Sequence, residues 1–173
     1  MPPTPTPWSD AVMKVFHAQK IRQVAYVPDT GLKRLIELVR ADKEMQAVPL
    51  TTEEEGVALA VGACLGGERA VLLLQSSGTG NCINMLSLTK GGRFPFLTLI
   101  SMRGDFGEGN PWQFPMGQAV KPVLEAMGLI VLRADHPAEV IDVVSAALTM
   151  AFQSGEAVAV LLSQRLIGAK KFA

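Results

Sequence analysis

Short, almost continuous apolar runs separated by segments of helical periodicity set the narrowest limit on what this chain can fold into. Val24–Val27, Ala70–Leu74, Phe96–Ile100, Leu129–Leu132 and Ala157–Leu162 are such runs, and Gln46–Leu50 reads as a sixth strand. Runs of this kind suit strands buried on both faces, because successive side chains point to opposite sides of a sheet. Between them, apolar residues recur at i, i+3, i+4 and i+7: Val12, Val15 and Phe16; Leu32, Leu35, Ile36 and Val39; Val57, Ala60, Val61, Cys64 and Leu65; Val140, Val143, Val144, Ala147, Leu148 and Ala151. That spacing marks one face of a helix. Strand and helix in alternation predict a three-layer α/β/α domain around a six-stranded parallel sheet.

At 173 residues the chain has the length of one domain with a sizeable core, and its 49% apolar content is that of a folded protein. Sixteen basic residues balance sixteen acidic ones. That balance speaks against a nucleic-acid or membrane surface as the main partner, since both call for a basic patch. Residues 1–8, rich in proline, have neither the basic nor the apolar region of a signal peptide and are expected to form a flexible tail, with residues 9–173 as the domain. Cys64 and Cys82 sit in apolar helical patterns and read as reduced core residues, pointing to a cytoplasmic protein.

An open parallel sheet binds its ligands in the loops after the carboxyl ends of its strands. Here those loops are Pro28–Gly31, Thr51–Glu55, Gln75–Asn81 and the long Met102–Met116 segment. The second holds three carboxylates in a row. Thr52 and Glu55 have the spacing of a capping box, and Glu54 complements the positive end of a helix. Glu53, beside the strand end, is placed for chemistry, although position alone does not separate it from a third capping residue. Ser76–Asn81 opens a helix carrying Ile83, Met85, Leu86 and Leu88. Its glycines suit either an anion cradle or a tight strand-to-helix turn. Arg103 offers a guanidinium fork for a carboxylate or sulfonate. Asp105 and Glu108 read as part of a solvated loop, His17 as structural and His136 as a turn residue. No cluster has metal-ligand spacing, no Ser-His-Asp set can be drawn, and no metal site is expected on this chain. A cleft with a carboxylate but no nucleophile implies that a cofactor or a partner supplies the rest.

Thr52-Glu53-Glu54-Glu55-Gly56-Val57-Ala58-Leu59-Ala60-Val61-Gly62, Gln75-Ser76-Ser77-Gly78-Thr79-Gly80-Asn81 and Ser101-Met102-Arg103-Gly104 together resemble the pyrimidine-binding domain of thiamine diphosphate enzymes. Within that group the likeness is greatest to the sulfopyruvate and phosphonopyruvate decarboxylases, and extends to Val27-Pro28-Asp29, Asn81-x-x-Asn84 and Pro115-Met116-Gly117-Gln118-Ala119. Counted back from Gly62, the family's cofactor-activating glutamate falls on Glu53. The resemblance implies that Glu53 hydrogen-bonds N1′ of the aminopyrimidine and so promotes loss of the thiazolium C2 proton. It implies further that Pro28, Thr30, Gly78, Thr79, Gly80 and Asn81 border the cofactor, and that Thr30, Gln75 and Arg103 face a small anionic 2-oxo acid. Several relatives carry a histidine near the start of the glycine-rich turn, where this chain has Leu74-Gln75. The family's diphosphate-binding motif is not found, which implies a separate β subunit that binds the diphosphate and Mg²⁺ in a hetero-oligomer. Two alternatives stay open: a subunit acting on phosphonopyruvate or another 2-oxo acid, including carboligation, and a non-catalytic regulatory module that keeps the fold.

Overall fold

The computed structural model describes residues 7–169. The chain runs α1 (Pro7–Ala18), β1 (Ile21–Tyr26), α2 (Lys33–Ala41), β2 (Gln46–Pro49), α3 (Glu54–Leu65), β3 (Arg69–Gln75), α4 (Ser76–Cys82), α5 (Ser87–Gly92), β4 (Phe96–Ser101), a short 3-10 turn (Pro111–Gln113), α6 (Phe114–Ala126), β5 (Ile130–Ala134), α7 (Val140–Phe152), β6 (Ala157–Leu162) and α8 (Gln164–Ile167). The six strands form one sheet in the order β2-β1-β3-β4-β6-β5, and every pairing is parallel. The expected architecture is therefore present.

The continuous apolar runs are explained by what lies on each side. Val71, Leu73, Leu97, Leu99, Val158 and Val160 face a core closed by α1, α2 and α7. Their alternates Ala70, Leu72, Leu74, Phe96, Ile100, Ala159 and Leu161 face a second core closed by α3, α4, α5 and α6. Alternate side chains thus feed opposite layers, as the two-residue period of a strand requires. Gly56 lets the first turn of α3 lie directly on the sheet, since a Cβ there would stand 2.3 Å from Leu72 Cδ1 and 2.9 Å from Leu50 Cδ1.

Two boundaries differ from expectation. Residues 7 and 8, assigned to a tail with residues 1–6, belong to the fold, because α1 begins at Pro7 and Trp8 is 3% exposed in the core; residues 1–6 lie outside the described residues. Burial of the indole outweighs the proline-rich context. Ser76–Cys82 is itself helical, so the glycine-rich segment is a short helix and not a turn leading into one. Ile83–Leu86 then forms a turn before α5. His17 Nε2 lies 2.8 Å from Asp42 Oδ2, tying α1 to the end of α2, and His136 sits in the turn that precedes α7. Both cysteines are free, and no helix among the described residues is long and apolar enough to cross a membrane.

Candidate active site

The strand order reverses direction between β1 and β3, where the loops after neighbouring strands part and leave a crevice. β2, an edge strand, delivers Glu53 to one side of it, β3 runs straight into α4, and the Pro28–Gly31 turn after β1 fills the strand end between them.

The three glutamates separate cleanly. Glu55 Oε2 reaches back to accept the backbone N–H groups of Thr51 (2.9 Å) and Thr52 (3.4 Å), which is half of a capping box. Glu54 Oε2 accepts the Thr52 hydroxyl at 2.7 Å, and the Glu55 N–H goes to the Thr52 carbonyl at 3.3 Å, so the other half of the box is not made. Glu53 occupies the cap position with helical dihedrals and makes no capping bond. Its carboxylate instead crosses 28 residues of sequence to accept Asn81 Nδ2 at 2.6 Å. It lies against Gly78, where a Cβ would stand 2.2 Å from Glu53 Oε1. Any larger residue at position 78 would displace the carboxylate. Glycine is a poor helix former, and its presence in α4 is accounted for by this contact.

Around that carboxylate the structure gathers some of the expected residues. Gly78 and Asn81 touch or bond it. Thr79 is buried, and its Oγ1 has no hydrogen-bond partner among the described residues. Gly80 packs under Met116 of α6. Pro28 and Thr30 are exposed on the neighbouring turn. Burial first, then the charges of Glu53 and Glu54, push the Cys82 thiol up to about 12, which rules it out as a nucleophile.

Thr30, Gln75 and Arg103 line a hollow of about 160 Å³ together with Asp29, Gly31, Ser101 and Ile167. At its centre is Asp29, part of the Val27-Pro28-Asp29 stretch to which the resemblance extends but with no role of its own assigned there. Its carboxylate accepts Ser101 Oγ (2.7 Å), Gln75 Nε2 (3.0 Å) and the backbone N–H of Leu32 (3.1 Å), joining the ends of β1, β3 and β4. Arg103 reaches this wall but is not a free fork. Its Nε and Nη2 bind Glu108 at 2.5 and 2.7 Å, in a pair whose carboxylate side chain is fully buried. Arg103 foremost, aided by the Asn110 and Gly104 N–H groups, holds the Glu108 carboxyl down at about 2 against the cost of burial. Gln164 Nε2 adds a further bond to Glu108 at 3.0 Å. The Met102–Met116 segment is therefore pinned, and the solvated-loop expectation for Glu108 is overturned by a bidentate ion pair that no spacing rule reveals.

The sequence is 37% identical over 155 residues to sulfopyruvate decarboxylase subunit alpha of Methanococcus maripaludis, covering 89% of this chain and 93% of that one. The chain belongs to the sulfopyruvate decarboxylase α-subunit family. The Methanocaldococcus jannaschii member is 33% identical over 152 residues, covering 87% and 90% of the two chains. A phosphonopyruvate decarboxylase of Streptomyces viridochromogenes is 36% identical over a shorter stretch, 61% of this chain and 27% of its own. Among solved structures, a 2-oxoglutarate:ferredoxin oxidoreductase from Magnetococcus marinus aligns with a TM-score of 0.73 over 92% of this chain and 29% of its own. At 18% identity, what this α-subunit family member shares with it is the fold. No family model matches the chain.

Proposed function

We propose that this chain is the α half of a thiamine diphosphate-dependent decarboxylase that converts sulfopyruvate to sulfoacetaldehyde and carbon dioxide, with Glu53 as the cofactor-activating group. The observation that carries this reading is the Glu53 carboxylate, aimed away from its own helix, steadied by Asn81 and accommodated by Gly78. The residues present fit the cofactor. The unpartnered Thr79 hydroxyl, and the Gly78 position that seats the Glu53 carboxylate with one oxygen unengaged, are compatible with a flat heteroaromatic ring with polar edges.

When bound, thiamine diphosphate supplies the carbon nucleophile and electron sink that loss of a carboxylate from a 2-oxo acid requires. Glu53 has one oxygen engaged by Asn81, and the other would hold a proton at a pyrimidine ring nitrogen. Asn81 fixes the rotation of that carboxylate without neutralising it. Pro28 and Thr30 would close the ring from the neighbouring strand end. Gln75 and Asp29 orient one another in the hollow they line, where the substrate would lie with Thr30. Arg103 would present its remaining terminal nitrogen there while its other donors stay with Glu108.

A β subunit would hold the diphosphate and Mg²⁺. Two findings support this division. Relatives of matching length are named subunit alpha. The sulfopyruvate decarboxylase of Methanosarcina acetivorans, 35% identical, is matched over only 31% of its own length, so its counterpart of this chain is joined to much more polypeptide. Near-complete coverage favours sulfopyruvate over phosphonopyruvate, whose enzymes match over a shorter stretch. In the assembled complex, Glu53→Gln should lower the rate of carbon dioxide release from sulfopyruvate by about 10²–10⁴-fold. Turnover equal to that of the parent complex would refute the assignment.

A further inference from the structure

The carboxyl edge carries three large apolar side chains in solvent within one short segment: Phe106 is 48% exposed, Trp112 88% and Phe114 42%. Single exposed apolar residues are ordinary, whereas several grouped on the rim of a cleft mark a contact surface. The backbone beneath them is fixed. Gln164 Oε1 accepts the N–H groups of Asp105 (2.8 Å) and Phe106 (2.9 Å), Asn110 Oδ1 accepts that of Trp112 (3.1 Å), and Gln118 Nε2 donates to the Gly104 carbonyl at 2.7 Å. The Arg165 guanidinium stacks 3.8 Å from the centre of the Phe106 ring. Aromatic side chains on a pre-ordered backbone bind at little entropic cost, and tryptophan is enriched among the residues that dominate interfaces.

The rim is also continuous with the candidate active site. Met116, two positions beyond Phe114, packs on Gly80 of α4, and α4 presents the Asn81 that holds Glu53. A body seated on Trp112 and Phe114 would reach over α4 toward the Glu53 carboxylate. We propose that Trp112 and Phe114, flanked by Phe106, are the docking anchors for the β subunit. This rests on the two-subunit reading above. The occupant is indicated by the Methanosarcina acetivorans relative, in which the matched part is only 31% of a single chain. What is covalently joined there would be met here across a surface, and this rim carries three of the five large apolar side chains that stand exposed among the described residues.

The chain has two tryptophans, and the other, Trp8, is buried at 3% exposure. Fluorotryptophan incorporated into this chain alone gives two fluorine NMR signals, assigned with Trp112→Phe. Adding the unlabelled β subunit should shift the Trp112 signal and remove its sensitivity to solvent isotope, leaving Trp8 unchanged. Trp112→Ala should weaken association by about tenfold or more, with the melting temperature of the isolated chain unaltered. Leu65→Ser serves as the control, since Leu65 is 73% exposed at the far end of α3, on the opposite edge of the sheet, and should bind as the parent does. A complex that forms with the Trp112 signal unperturbed, or with Trp112→Ala at full affinity, overturns the proposal. So does a Trp112 signal that moves with the chain's own concentration, which would make the rim a seat for a second copy. Absence of any complex would overturn the two-subunit reading itself, whereas an active Glu53→Gln enzyme would leave the docking surface standing.

Discussion

Glu53 and Glu108 stand on the same edge of the same sheet, one after β2 and the other after β4, and the protein holds them in opposite ways. Glu108 is buried and accepts from five donors: Arg103 Nε and Nη2, the Gly104 and Asn110 N–H groups, and Gln164 Nε2. Glu53 is half-buried and accepts from one neutral amide. A carboxylate saturated with donors is held in its charged form and has nothing left to give a ligand. A carboxylate with a single neutral partner keeps a free oxygen at which a proton can be shared. The contrast separates a glutamate that builds the loop from one that is free to act on what the loop surrounds.

Exchanging the carboxylates one at a time for amides should pull these roles apart. Glu53→Gln should produce the largest effect, the loss of turnover stated above, with the melting temperature of the chain nearly unchanged because the amide oxygen can keep the single Asn81 contact. Glu108→Gln should do the reverse. It leaves the buried Arg103 charge without its counter-ion, at a cost of about 3 kcal/mol, or a drop in Tm of roughly 6–12 °C. Acid adds a second test. The folded-state carboxyl of Glu108 lies at about 2, below its ordinary value of 4.5, so its contribution to stability is complete above that ordinary value and is lost as pH falls toward 2. Thermal unfolding followed from pH 6 downward should show an acid-sensitive loss of stability that is smaller in Glu108→Gln, the remainder belonging to Asp10, Asp42 and Asp135, which are also held below their ordinary range. An unaltered acid limb in that variant would show that another carboxyl is responsible.

Gly78→Ala probes the same contrast from α4, which follows β3 on the same edge of the sheet. The added Cβ would collide with Glu53 Oε1. Turnover should fall by about ten- to a hundredfold while stability holds or rises slightly, since alanine is the better helix former. Activity and Tm falling together would mean that α4 itself had been disrupted. The smallest effect is expected for Glu55→Ala, which removes the acceptor for the Thr51 and Thr52 N–H groups. Its Tm should drop by about 2 °C or less with unaltered turnover. A large loss of activity there would mean that the sorting of the three glutamates is wrong.

The fold was legible because parallel strands covered on both faces are largely apolar, and the five apolar runs and the Gln46–Leu50 segment each became a strand. The role proposed for Glu53 came only in part from its position: its place after a strand made it eligible, and the motif resemblance selected it. What the sequence did not reveal depends on contacts between distant segments. Ser76–Cys82 read as an opening turn because two glycines and two serines disfavour a helix, yet the approach of Glu53 to Gly78 and of Met116 to Gly80 makes small residues the right ones for α4. Arg103 and Glu108 are five residues apart in a loop, where no regular spacing signals a pair. The linking role of Asp29 was not foreseen because its partners Gln75 and Ser101 come from other strands. Trp8 escaped notice because the prolines before it outweighed a single indole.

The all-parallel sheet also sets the order in which the molecule can come into being. No strand is joined to its partner by a hairpin: Val24 pairs with Val71, and Phe96 with Ala157, each across long intervening segments. Distant stretches must therefore find one another before any ladder rewards the search, and such topologies fold slowly. The crevice between β1 and β3 cannot exist until that search is complete. A newly made chain would spend its early life with strands unpaired and prone to aggregate, and its catalytic potential would appear only in the last moments of folding.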